Sequence, residues 1–186
     1  MAYTPCGVWS NAFYTLGGTV TLEPHQVVAV VGLLLAAVID ARTGKIPNVL
    51  NFVLLLAGVS WWALDGRWVV GLAGAVAGFA LHFPLWKLGV EKGGDAKLFI
   101  ALGSLVGWWE MLDTSAMTAL LYFPIGFLVL LVRGRLGNLV EGIRYTVKRA
   151  QGVPADKLEA PEPTMLRTGP IIAAAGIAAL FWDILP

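Results

Sequence analysis

Pro24-His-Gln-Val-Val-Ala-Val-Val-Gly-Leu-Leu-Leu-Ala-Ala-Val-Ile-Asp40 is an apolar run that closes on a carboxylate. A helix needs about 20 mostly apolar residues to cross a bilayer, within a range of roughly 17–25. This stretch meets the lower limit, and similar segments follow at approximately 47–64, 68–87, 95–109, 114–132 and 169–185. Pro24, Pro47 and Pro170 stand near segment starts, where a missing N–H costs little. Pro84 and Pro124 lie inside their segments and are expected to bend them. The expected fold is all-α: a polytopic membrane helix bundle of about six transmembrane helices, forming a single membrane domain over residues 1–186.

Composition agrees with that reading. The chain has 186 residues, 58% hydrophobic and 13% charged, against about 45–50% and about 25% in soluble domains. A lone cysteine, Cys6, excludes an internal disulfide and any cysteine-based zinc site. His25 and His82 lie too far apart for metal-ligand spacing, and no metal or organic cofactor is expected. Residues 1–22 carry no Lys or Arg and so lack the basic start of a signal peptide. They read as a short, partly interfacial segment with Trp9 as an anchor.

Charge orients the bundle. Of the 13 Lys and Arg residues, all but Arg67 fall beside the first, third and fifth loops. The positive-inside rule makes that side cytoplasmic, which places both termini outside. The opposite turns carry Asp65, Glu110 and Asp113. Residues 134–167 break the apolar pattern. Leu136, Leu139, Val140, Ile143 and Val147 recur at helical spacing with Arg135, Arg144 and Lys148 between them. That pattern predicts an amphipathic cytoplasmic helix on the anionic inner leaflet, followed by a polar, Pro-rich linker over 152–163.

The same topology places Asp40 and Asp95 on one membrane face. A carboxylate at a bilayer edge is costly to desolvate and marks a functional site by default. Taken alone, Asp95 in Lys92-Gly93-Gly94-Asp95-Ala-Lys97 reads equally as an N-cap of the fourth helix. The two glycines leave room for a neighbouring backbone. Asp40 near the end of the first helix reads equally as a loop anion paired with Arg42 or Lys45. The macrodipole disfavours an anion at Asp40 and favours one at Asp95. If the two meet, that asymmetry suits an acid/base pair sharing a proton, as in aspartic proteases.

Asp40 followed by Lys45-Ile46-Pro47-Asn48, then Gly94-Asp95-Ala-Lys97-Leu98, resembles the type IV prepilin peptidases, membrane aspartic proteases of the GxGD kind. The late stretch Arg167-Thr-Gly-Pro170 is similar to the start of that family's final helix. The resemblance implies Asp40 and Asp95 as catalytic aspartates, with Gly93, Gly94, Lys97, Pro47 and Asn48 supporting the site. It implies an endopeptidase that removes the leader of pilin-like precursors at the cytoplasmic face of the inner (plasma) membrane. The substrate would carry a basic leader and an apolar helix lying in the lipid; no nucleic acid is involved, and oligomeric state is left open. Cysteine content fits the short form without the methylation-linked region. One departure is Lys92, where the motif has its first glycine. An inactive assembly subunit and a small proton-coupled transporter remain as alternatives.

Overall fold

A computed structural model describes residues 22–158 and 166–180. Residues 1–21 with Trp9 lie outside them, as do the end of the linker (159–163) and the end of the last predicted span. The described residues form helices and turns only: α1 (Pro24–Thr43), α2 (Asn48–Leu64), α3 (Trp68–Leu88), α4 (Gly93–Val106), α5 (Trp108–Val132), α6 (Gly137–Ala150) and α7 (Gly169–Ala179), with a 3-10 turn at Ala155–Lys157. The chain is a membrane helix bundle. Helices α1, α3 and α5 are long and apolar enough to cross a bilayer, while α2 and α7 are shorter apolar helices.

Local chemistry sets the boundaries. Glu23 and Gln26 form a reciprocal capping box at the start of α1, with Pro24 in the first turn. Gly44 ends α1 in the left-handed conformation, φ 73°, and its N–H returns to the Asp40 carbonyl at 2.8 Å. Gly89, φ 81°, ends α3 in the same way. A single residue, Gly107, separates α4 from α5.

That joint corrects two expectations. The fifth helix begins at Trp108 and not near residue 114. Glu110 and Asp113 therefore belong to its first turns and not to an external loop, and Asp113 is buried. Acidic side chains are favoured where a helix's free N–H groups gather, so two carboxylates can open an otherwise apolar helix.

Helix α4 occupies the interior. Asp95, Ala96, Leu98, Phe99 and every residue from Ala101 to Val106 are buried. It packs chiefly on α3 and α2, while α7 packs on α1 and α5. Gly71, Gly74 and Gly78 on α3 are buried, as their spacing predicts. A methyl group on Gly78 would stand 2.9 Å from the Ile100 Cα. Gly74 and Gly103 meet backbone to backbone, and so do Gly58 and Ser104. Two polar links reinforce the contact: Trp62 Nε1 donates to the Leu105 carbonyl at 2.9 Å, and Ser104 Oγ donates to Leu55 at 3.2 Å. Outward faces stay apolar, with Phe123 75% and Leu120 66% exposed on α5. Such surfaces suit lipid.

The predicted amphipathic helix is α6, narrower than the 134–167 region. Its apolar stripe of Leu139, Val140, Ile143 and Val147 is exposed. Its C-terminal part reaches α3, where the Arg149 guanidinium donates to the Lys87 carbonyl and Tyr145 lies over Gly89.

Candidate active site

Asp40 and Asp95 come together at one end of the bundle. Asp40 lies in the last turn of α1 and is 1% exposed; Asp95 lies in the first turn of α4 and is 4% exposed. The N-cap of α4 is Lys92, and Asp95 is the third residue of the helix, so it is not the cap. Nor does Asp40 pair with Arg42 or Lys45. Its Oδ2 accepts the Gly169 backbone N–H at 2.9 Å. Asp95 Oδ2 accepts the Thr168 hydroxyl at 2.6 Å. Two consecutive residues at the start of α7 thus hold both carboxylates. A buried carboxylate without such donors would be strongly penalised.

Gly169 is required by space. A Cβ there would lie 2.7 Å from the Asp40 Cβ and 3.2 Å from the Ala36 carbonyl. Thr168 and Gly169 are the two contacts of the candidate dyad that sequence reasoning missed. The Arg167-Thr-Gly-Pro170 stretch pointed to them, but nothing in its spacing joined a seventh helix to aspartates on the first and fourth.

A cleft of about 270 Å³ is lined by Asp40, Gly44, Lys45, Ile46, Asn48, Lys92, Gly93, Gly94, Asp95 and Lys97. Of the five residues expected to support the site, Gly93, Gly94, Lys97 and Asn48 line the cleft and Pro47 does not. A water in the liquid takes about 30 Å³, so the cleft admits several. Pro47 caps α2 with extended backbone, φ −66° and ψ 136°. Asn48 neither caps α2 nor bonds Asp40; its Oδ1 accepts Lys97 Nζ at 2.9 Å. Gly94 packs on Ile46, whose Cβ and backbone O would stand 3.3 and 3.4 Å from an added Cβ, a looser contact than the close backbone approach expected of these glycines. Gly93 faces the Trp86 indole. One turn along α2, Asn51 Nδ2 donates to the Gly94 carbonyl at 3.1 Å and fixes the peptide next to Asp95.

Lys92 departs from the GxGD pattern, yet its backbone is ordinary: φ −79° and ψ 148°. Any residue adopts that region, so no glycine is demanded. The side chain reaches across to donate to the Leu166 carbonyl at 3.2 Å, which fastens the segment leading into Thr168.

The type IV leader peptidase family matches residues 27–132, over half of the chain and inclusive of both aspartates. This protein belongs to that family. Among relatives of the type IV leader peptidase family are the prepilin leader peptidase/N-methyltransferases of Burkholderia pseudomallei strains 1026b and K96243. Each is 31% identical over 159 residues, covering 81% of this chain and 43% of the relative. The chain therefore spans less than half the length of those relatives. No solved structure matches significantly. The family match stops before α7, so Thr168 and Gly169 enter the site on geometry alone.

Proposed function

We propose that this chain is a membrane-embedded aspartic endopeptidase that removes the leader of type IV pilin-like precursors. The observation that carries the reading is the convergence of buried Asp40 and Asp95 on the Thr168–Gly169 donors beside an open cleft. Family membership and the names of its relatives supply the substrate class.

The chemistry follows from two carboxyl groups facing one space. One, ionised, takes a proton from a water in the cleft as that water attacks the scissile carbonyl carbon. The other, protonated, gives its proton to the carbonyl oxygen. Collapse of the tetrahedral intermediate breaks the C–N bond, and a proton passes to the leaving nitrogen. Two such groups titrate as a pair, so acid and base belong to the dyad and not to one residue.

The site faces the cytoplasm in this reading, because Arg42, Lys45, Lys87, Lys92 and Lys97 gather at its end of the bundle. The enzyme is then a multi-pass protein of the inner (plasma) membrane. The substrate's apolar helix lies in lipid against the bundle, and its basic leader stays in water beyond the rim. Helix α6 rests its exposed apolar stripe on the inner leaflet, where Arg144 and Lys148 meet anionic headgroups. The ordinary backbone at Lys92 favours an active peptidase over an inactive assembly subunit.

The test is cleavage of a reconstituted prepilin-like substrate. Asp40→Ala and Asp95→Ala are each expected to reduce turnover at least ~10²–10⁴-fold, the usual scale of acid–base catalysis. Undiminished cleavage by both variants would refute the dyad.

A further inference from the structure

Outside the cleft lies a second buried polar cluster that the proposed mechanism does not use. His82, on α3, is 2% exposed. Its Nδ1 meets both carboxylate oxygens of Glu91, at 2.9 and 3.0 Å. A carboxylate accepts, so Nδ1–H donates. Nε2 lies 2.9 Å from Ser115 Oγ on α5. The imidazole also stacks flat on Phe99 of α4, with centroids 3.8 Å apart and planes 3° from parallel. Both nitrogens and one face of this ring are thus engaged, each by a different element.

Connectivity from Ser115 through His82 to Glu91 is that of a nucleophile, base and acid. The geometry argues against that chemistry. Ser115 Oγ donates to the Met111 carbonyl at 2.8 Å within its own helix. It sits inside α5, whose N–H groups are consumed by helix bonds, so no donors remain for an oxyanion.

Position in the chain gives a better reading. Glu91 lies four residues before Asp95, and Phe99 lies four residues after it. His82 grips both. Glu91 belongs to the short turn between Gly89 and Gly93, which delivers Lys92 to Leu166 and starts α4. A four-residue connection has few internal contacts to hold it. Its backbone is tied to α3 by Gly89 and Val90, whose N–H groups return to Trp86 and Leu85 at 2.9 Å, and to α4 by the Lys92 carbonyl, which accepts from Asp95 and Ala96 at 3.1 Å. Between those two ends the His82–Glu91 bond supplies the side-chain fixed point, one residue before Lys92.

We infer that His82 and Glu91 are positioning residues of the peptidase site, holding Asp95 in register with Thr168 by bracketing the start of α4. This rests on the peptidase reading. A positioning residue touches neither water nor substrate; its loss misplaces a group that does, and small misplacements cost rate steeply. Turnover then falls while substrate affinity stays.

The experiment uses the full chain in liposomes with a prepilin-like substrate, normalised to folded, monodisperse protein. Glu91→Ala is the informative variant, because the Glu91 side chain is partly exposed whereas His82 is buried in the bundle. We expect kcat to fall on the order of tenfold or more, with KM within about twofold. Glu91→Gln keeps an acceptor for Nδ1–H and recovers most of the rate. His82→Ala/Glu91→Ala is no slower than the slower single variant, since the two act as one unit. Amide hydrogen exchange over residues 90–96 speeds up in Glu91→Ala, while α2 and the rest of α4 keep their protection. Parent-like kcat in Glu91→Ala, a change confined to KM, or unaltered exchange over 90–96 overturns the inference. If the parent itself fails to cleave, the peptidase reading falls, and the exchange result still decides whether the bracket holds the turn.

Discussion

The two aspartates sit in regions built by different means. Asp95 belongs to a block of α2, α3 and α4 where glycine backbones touch other backbones: Gly74 on Gly103, Gly58 on Ser104, Gly78 on Ile100. Asp40 belongs to α1, whose partner α7 approaches backbone only at its first residue, Gly169, and packs on side chains further along. Gly176 there faces the Leu33 methyls, the flexible end of a side chain. A backbone contact cannot yield without moving a helix, whereas a leucine can change rotamer. The comparison teaches that one carboxylate is set in a rigid frame and the other depends on the docking of α7.

The largest expected effect breaks the rigid side. Gly74→Leu forces a branched side chain into the Gly103 backbone, and we expect loss of folded protein in detergent, beyond the ~1–3 kcal/mol usual for overpacking. Gly176→Ala, its counterpart on the yielding side, should fold and shift the thermal midpoint by only a few degrees. Equal tolerance at both sites, read by size-exclusion profile and thermal unfolding, would erase the distinction.

Next comes the junction. Gly169→Ala puts a methyl group against the Asp40 Cβ, and it should fold yet cut prepilin turnover on the order of 100-fold. Smaller still is Thr168→Val, which keeps the shape and removes the hydroxyl bonded to Asp95. Hydrogen bonds to charged groups contribute upward of about 1.5 kcal/mol, so a loss of at least about tenfold is expected, with Thr168→Ser restoring activity. If Thr168→Val proves the more damaging of the two, then α7 docking matters less than carboxylate orientation, and the comparison needs redrawing.

Much of this was legible in the chain, and the failures have physical causes. Apolar length located α1, α2 and α3 to within a few residues, because Pro at the starts and Gly44 and Gly89 at the ends are strong punctuation. The α4–α5 boundary was misread, because Glu110 and Asp113 have the composition of a loop while a one-residue joint at Gly107 leaves no loop to find. Asp40 and Asp95 were legible as misplaced charges. Their partners were not. Thr168 and Gly169 lie 73 and 129 positions from the carboxylates they bind, and no helical periodicity reports a contact at that range. His82, in an apolar segment, shows in the sequence only that it has no metal-ligand partner at hand; its stack on Phe99 and its bond to Glu91 are contacts that a single helix face cannot display.

The clasp at the start of α7 has a metric consequence. Thr168 and Gly169 are neighbours in the chain, and trans peptide geometry fixes successive Cα atoms about 3.8 Å apart. Covalent bonding therefore acts as a gauge for the gap between two carboxylates carried by helices more than fifty residues apart in sequence. While both hydrogen bonds hold, the gap between the carboxylates varies only as far as the torsions of Thr168 allow, so the local geometry of one residue limits the spacing of two groups carried on separate helices.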